Sequence, residues 1–261
     1  MSEKSSYRFT HAIVRRPGRS VVDGLRAVDR GKPDADLFQA EHRAYVRALQ
    51  RAGVKITELP ALEEFPDSVF IEDTALLLPE GSVILRPGAP SRAGEAEATA
   101  RALSVNGREV CRIGGEGHID GGDVLVTGPL VLVGLSERTD MGGFEATRDV
   151  LEVWGYSVQA VHTPEHVLHF KSDCSLLDDE TILATSRISE ENCFAQFRVL
   201  TVPEGEEAAA NSVRVNGTVF VPAGFPATAA LIARAGYKVE VLRISQAALL
   251  DGGLSCMSLR F

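Results

Sequence analysis

The sequence predicts an α/β fold in which five copies of one helix–strand–hairpin unit close into a ring, a five-unit α/β propeller built by residues 1–261 as a single domain. Three observations predict it. A pattern of amphipathic helix, short strand, loop and apolar hairpin recurs at intervals of roughly 40 to 55 residues. Four of the helical stretches stop at a glycine, and the two ends of the chain each carry half of a unit. An open α/β sheet is the alternative. Four-stranded all-β blades are disfavoured, because the helices would have no layer to pack on.

The helices are expected at Leu37–Arg51, Glu95–Ser104, Phe144–Trp154 and Ala227–Ala235, with a short, faintly periodic one near Glu190–Phe197. Gly53, Gly107, Gly155 and Gly236 follow four of them, and glycine takes the left-handed conformation that ends a helix without a Cβ clash. The third helix places Phe144, Thr147, Leu151 and Trp154 on one face, the stripe a helix needs to cover a sheet. Short strands follow the helices, reading VKITEL, REVCRI, YSVQAV, RVLTV and YKVEVL. After each comes an apolar hairpin: TALLL-PEG-SVILR, VLVTG-PL-VLVGL, CSLL-DDE-TILAT and SVRV-NG-TVFVP, then MSLRF, where only one strand remains. HAIVRR near the start is a strand with no hairpin of its own. Pairing the two closes the ring and removes the exposed edges of an open five-unit sheet.

Composition narrows the function. A chain that is 44% hydrophobic and 24% charged is an ordinary globular protein. Its formal charge of -9 and pI near 5.2 exclude a binder of phosphate backbones and suit a cationic ligand. Cys111, Cys174, Cys193 and Cys256 are widely spaced, with no CxxC pair and no Cys/His cluster, so reduced thiols are expected and no metal site. No run of 18 apolar residues occurs, so no membrane partner is expected and the cytoplasm is the expected compartment.

The polar residues that stand out sit at one place in each unit, just ahead of the hairpin. They are Asp67, Glu72 and Asp73 in FPDSVFIED, Asp120 and Asp123 in HIDGGD, His169 and Lys171 in LHFKSDC, Asn211, and Asp251 with Cys256 in LLDGGLSC. Asp73, Asp123 and Asp173 fall at equivalent positions. Around an axis, equivalent positions converge, which brings carboxylates, a histidine and a cysteine to one cavity. Several carboxylates share a pocket only if a cation or hydrogen-bond donors sit among them. Without a metal-ligand pattern, a cationic organic group is the expected guest. The same residues also have plain structural readings: a buried cysteine, a packed histidine, and aspartates that cap turns. Cys111, Cys174 and Cys193 lack this neighbourhood and are assigned to the core.

In order and spacing, FPDSVFIEDTALLL, RPGAPSR, IDGGDVLVTG with VGLSERT, LHFKSDCSLL, AANSVRVNG and DGGLSC resemble the dimethylarginine dimethylaminohydrolases of the amidinotransferase, or pentein, superfamily, over about His11 to Phe261. The resemblance implies the five-unit propeller and hydrolysis of methylated arginine to citrulline and an alkylamine, without a cofactor. It implies Cys256 as nucleophile, His169 as general acid and base, and Asp120 as the carboxylate beside that histidine. It further implies Glu72 and Asp73 as holders of the guanidinium, Asp67 at the α-amino end, Arg92 and Arg138 as a clamp on the α-carboxylate, and Leu250 as a substrate contact. The partner is a small guanidino amino acid, with no nucleic acid and no membrane; a homodimer is compatible with this reading. Relatives on the fold hydrolyse arginine itself, transfer the amidino group or bind ribosomes without catalysis, so those activities stay open as alternatives. The first loop, RRPGRSVVDGLRAVDRGKPD, departs from the family pattern: Arg16 and Pro17 stand at its start, where an apolar residue is expected over the substrate, and its charge argues against lid closure.

Overall fold

A computed structural model describes residues 6–189 and 192–261, arranged as five three-stranded sheets around a common axis. In the first unit, β1 (His11–Arg15) runs into α1 (Ala35–Arg51), which returns the chain to β2 (Lys55–Leu59), parallel to β1 in the register Ala12↔Ile56. The second unit is β3 (Ala75–Leu78), β4 (Gly81–Ile84), α2 (Ala93–Val105) and β5 (Val110–Arg112). The third is β6 (Val124–Val126), β7 (Leu130–Leu135), α3 (Met141–Val153) and β8 (Ser157–His162). The fourth has β9 (Cys174–Leu176), β10 (Thr181–Ala184), the single turn α4 (Ser186–Ser189) and β11 (Arg198–Thr201). The fifth has β12 (Val213–Val215), β13 (Thr218–Pro222), α5 (Pro226–Arg234) and β14 (Lys238–Leu242), before the turn α6 (Ser245–Ala248) and the final β15 (Leu259–Arg260).

In each of these four sheets a tight hairpin gives an antiparallel pair, and the helix then crosses over to a parallel third strand. The first sheet has the same plan with its hairpin cut open, since β15 pairs antiparallel with β1 at Ala12↔Arg260 and Ile13↔Leu259. The ring closes through this pairing, as the two half-units imply.

The helix ends follow the glycines. Gly53, Gly107, Gly155 and Gly236 have φ of 89°, 75°, 80° and 100°, a region any residue with a Cβ enters only with strain. Asp34 and Asp140 cap α1 and α3 by accepting from the amides of Leu37 and Gly143. Each helix buries the stripe its sequence implies: Phe38, Tyr45 and Leu49 in α1, and Phe144, Thr147 and Leu151 in α3. The fourth unit differs from expectation. In place of a helix over Glu190–Phe197 the chain forms α4 and a 3-10 turn, Asn192–Phe194, while Glu190 and Glu191 lie outside the described residues. Serine and asparagine, as at 186 and 192, are residue types that favour turns over helix continuation. The segment is anchored by Arg187, which pairs with the buried Asp173.

A 3-10 turn precedes each innermost strand, at Ile71–Thr74, Gly121–Asp123, Phe170–Ser172, Glu207–Ala210 and Ser255–Met257. Equivalent side chains in these turns staple one unit to the next. Asp73 Oδ1 accepts from the Gly122 amide at 2.9 Å, Asp123 Oδ1 from the Phe170 amide at 2.7 Å, and Asn211 Oδ1 from the Ser255 amide at 3.0 Å. Asp173 breaks the pattern, turning to Thr185 and Arg187 of its own unit. These turns ring the axis and carry the functional side chains.

Candidate active site

At one end of the axis is a cavity of about 200 Å³ whose wall includes Asp67, Asp73, Asp120, His169, Leu250 and Cys256, with Arg92 and Arg138 at its side. His169 comes from the residue ahead of the third turn, and its Nε2 lies 2.8 Å from Asp120 Oδ2, ahead of the second. The other oxygen of Asp120 accepts from the Gly88 amide at 2.8 Å, which fixes the carboxylate against the ring. Gly122 is required here by space: a Cβ on it would sit 2.7 Å from His169 Nδ1 and 3.0 Å from Asp73 Oδ1. Cys256 lies in the last turn, 9% exposed, its Sγ 3.3 Å from the Gly253 amide that donates to it.

The electrostatics are those of a site awaiting a cation. Burial disfavours the charged imidazolium of His169, but the carboxylates of Asp73, Asp123 and Asp120 outweigh it and push the pKa up to about 9. Burial, then Glu72 and Asp73, push the Cys256 thiol up to about 12. The ligand-free site therefore holds a thiol and an imidazolium at neutral pH, with the histidine above the ordinary range that the sequence alone suggests.

Glu72 is not in the wall of this cavity. Its carboxylate lies behind it, where Oε1 takes Lys171 Nζ at 2.7 Å and Arg260 at 3.0 Å, while Oε2 accepts from the Ser255 hydroxyl at 2.8 Å. Arg92 is 5% exposed and its fork is spread over protein acceptors: Asp73 at 2.5 Å, Glu95 at 2.8 Å, and the Phe70 carbonyl at 2.9 Å. Arg138 differs from it, since its guanidinium makes no hydrogen bond or ion pair among the described residues and faces the same cavity. The carboxylates of Asp73 and Asp120 and a ring nitrogen of His169 lie within 4.8 Å of one another, close enough to hold a metal ion. Sequence spacing hides that trio, because each member comes from a different unit or turn. All three are already paired within the protein, through Arg92 and the Asp120–His169 bond.

The first loop corrects an expectation. Arg16 points away, paired with Glu58 at 3.1 Å, and it is Leu25, with Arg26 and Ala27, that lies against the cavity. Two site carboxylates hold the loop there: Asp67 Oδ1 accepts from the Leu25 amide at 2.9 Å and Asp251 Oδ2 from the Ala27 amide at 2.6 Å. The charge at the loop's start is thus no obstacle to its covering the site. Sequence reasoning missed Leu25, which shares the stretch RSVVDGLRAVDR with Val21, Val22 and Val28 and is not singled out by it. It also missed Arg260 and Ser255, whose contacts with Glu72 link residues 183 or more positions apart.

A family model described as "N,N dimethylarginine dimethylhydrolase, eukaryotic" matches residues 34–191. A dimethylarginine dimethylaminohydrolase of Pseudomonas aeruginosa is 41% identical over 254 residues, covering 97% of this chain and 100% of the relative. One of Streptomyces coelicolor is 34% identical, covering 95% and 96%. Among solved structures, a cysteine-to-serine mutant of the Pseudomonas aeruginosa enzyme complexed with citrulline superposes with a TM-score of 0.94 at 40% identity, over 98% of this chain and all of that one. A second, a histidine-to-glycine variant of a dimethylarginine dimethylaminohydrolase as its adduct with S-methyl-L-thiocitrulline, gives 0.93 at 41% identity over 97% and 100%. The N-terminal domain of ArgZ shares the fold, with a TM-score of 0.84 at 17% identity, covering 96% of this chain and 97% of that one.

Proposed function

The chain belongs to the dimethylarginine dimethylaminohydrolase family, and from that premise we propose that it hydrolyses Nω-methylated arginine to citrulline and an alkylamine through a covalent intermediate on Cys256. The observation that carries the assignment of roles is the meeting of a buried thiol and an Asp120-paired imidazole in one carboxylate-lined cavity.

A guanidinium is a poor electrophile because its charge is spread over three nitrogens, so it must be fixed and turned for attack. Asp73 is the carboxylate placed to accept its NH groups, and Glu72, immediately behind, adds negative potential. Arrival of the cation offsets the Glu72 and Asp73 charges that, after burial, hold the Cys256 proton, so the thiol gives that proton up to solvent when a substrate is present. The thiolate attacks the guanidinium carbon. His169, as imidazolium, donates a proton to the departing methylamine or dimethylamine, leaving a thiouronium on sulfur. The now neutral ring takes a proton from the incoming water, which attacks the same carbon; the C–S bond breaks and citrulline leaves. Asp120 holds the ring's orientation and favours its charged form. Arg138 is the free fork for the α-carboxylate, Asp67 faces the α-amino group, and Leu25 and Leu250 cover the alkyl chain.

Closure of the ring by β1 and β15 supports treating residues 1–261 as one domain, since the last unit is incomplete without the first strand. No helix among the described residues is long and apolar enough to cross a membrane. Cys111, Cys174 and Cys256 are free thiols, which suits the cytoplasm.

Incubation with arginine, monomethylarginine and the asymmetric and symmetric dimethylarginines, followed by an assay for ureido products and amines, tests the assignment. Monomethyl and asymmetric dimethyl arginine are expected to turn over, with the symmetric isomer at least about tenfold slower, because a methyl on each terminal nitrogen displaces a carboxylate contact. Turnover of arginine alone, with release of ammonia, replaces the assignment with a deiminase.

A further inference from the structure

Behind Glu72, on the far side of the axis from Cys256, lies a second cavity of about 520 Å³. Its walls are the five innermost strands β3, β6, β9, β12 and β15, and its rim includes the exposed Arg8 and Thr10. In a chain with a net charge of -9, the charged side chains lining it are Arg8, Arg108, Lys171, Arg214 and Arg260 against the single carboxylate of Glu72. Arg214 is partly balanced by Asp178 at 3.7 Å. Lys171 and Arg260 share Glu72. The side-chain partners of Arg108 among the described residues are all neutral: the Ser82 hydroxyl at 2.7 Å, the carbonyls of Leu78 and Gly81, and the face of Phe261, 4.2 Å away. Burial lowers the Arg108 pKa with no carboxylate to offset it.

Two further atoms in this wall are left wanting. Ser175 Oγ and Arg260 Nε are buried and without a hydrogen-bond partner, and Ser175 is only 7% exposed. Buried polar atoms of this kind are ordinarily satisfied, and both belong to residues that line this cavity. Between the cations the wall is apolar, with Leu76, Leu78, Val126, Leu176 and Phe261. A multiply charged ion would lose its hydration against these side chains, whereas a single carboxylate on an apolar chain matches both the charges and the walls.

We propose that this second cavity is a binding site for a medium-chain carboxylate, with the head group on Arg108 and the Lys171–Arg260 pair, and that its occupancy tightens binding of the cationic substrate on the other side of Glu72. The second half rests on the function proposed above. A carboxylate that draws Lys171 and Arg260 toward itself leaves Glu72 less neutralised, and an added negative charge behind Asp73 favours a guanidinium in front of it.

Calorimetric titration of the whole protein with octanoate, octylammonium and inorganic phosphate tests the site without reference to turnover. Octanoate is expected to bind saturably, at least tenfold tighter than either control, and at least tenfold more weakly to Arg108→Leu and to the cavity-filling Ser175→Leu. Arg138→Gln, which alters the other cavity, is expected to leave octanoate binding unchanged. Absence of saturable octanoate binding, equal binding of phosphate, or undiminished binding by both wall variants overturns the site. With octanoate bound, the KM for asymmetric dimethylarginine is expected to fall at least threefold at unchanged kcat; binding without that fall overturns the coupling.

Discussion

The two cavities that meet at Glu72 are built from the same repeat and carry opposite charge. The smaller is walled by Asp67, Asp73, Asp120, Glu137 and Asp251 with Arg26, Arg92 and Arg138, and the larger by four arginines and Lys171 around the side chain of Glu72. The turns supply both walls: Asp73 and Cys256, with Asp120 and His169 just ahead of their turns, face the smaller cavity, whereas Glu72 and Lys171 of the turns, with Arg214 and Arg260 of the innermost strands, face the larger. On the acidic side the consequence is stored protonation: His169 and Cys256 both hold protons more tightly than they would in water, until a cation arrives to balance the carboxylates.

The largest break in this contrast is removal of the group that the acid side serves. Cys256→Ser is expected to lower kcat by roughly 10³-fold or more, since a hydroxyl is a far weaker nucleophile, with a melting temperature within about 3 °C of the parent because the packing change is one atom. His169→Ala separates the two half-reactions: the alkylthiouronium is expected to accumulate in acid-quenched mass spectrometry while steady turnover falls by about 10²- to 10⁴-fold. Normal turnover without an adduct makes His169 a packed core residue.

Arg138→Gln probes the free cation on the acid side. The KM is expected to rise by about 10- to 100-fold with kcat within about twofold, equivalent to about 1.4–2.8 kcal/mol of lost binding; a fall in kcat with constant KM removes the arginine from carboxylate binding.

The stored protonation can be read directly. NMR titration of the His169 ring is expected to give a midpoint near 9, and Asp120→Asn, by deleting a carboxylate that favours the charged ring, is expected to move it down. The sign for stability follows: a histidine whose pKa rises on folding contributes stability that is full below about 6.5, its unfolded value, and is lost as pH rises through about 9. Denaturant midpoints that rise over that interval in the parent, and do so less in the variant, contradict the assignment. The smallest effect is expected of Leu25→Ala, a partly exposed side chain whose truncation loses about 1 kcal/mol of contact and raises KM about three- to tenfold.

The ring and its closure were legible because they rest on local signals that repeat: glycine after helix, period-two apolar hairpins, and a strand left over at each end. The fourth helix was not, since Ser186 and Asn192 sit in a stretch whose faint periodicity is outweighed by turn-favouring residue types. In the site, the candidate residues could be picked out by equivalent position, and His169, Asp120, Asp73 and Cys256 do meet. Whether a carboxylate faces the substrate or supports the scaffold was not legible. Asp123 and Asp120 stand three residues apart in one motif, yet Asp123 is bound to the Phe170 amide and the Thr139 hydroxyl while Asp120 meets the imidazole. Glu72 likewise reads as a site carboxylate, and only the long-range approach of Lys171 and Arg260 turns it to the rear. Leu25 was hidden because the groups that hold its loop, Asp67 and Asp251, bond to backbone amides, and any sequence there presents the same donors.

The seam between β1 and β15 joins Ala12 to Arg260, nearly the whole chain apart, and Cys256 lies in the turn leading into it. Contacts that span so much sequence carry the greatest loop-closure cost and tend to form late. Cys256 is therefore expected to reach His169 and Asp120 late in assembly, after the other units have formed. Recovery of turnover after refolding clocks that step, and should lag behind the return of helical signal from α2 and α3, which pack mainly on the strands and turns of their own units.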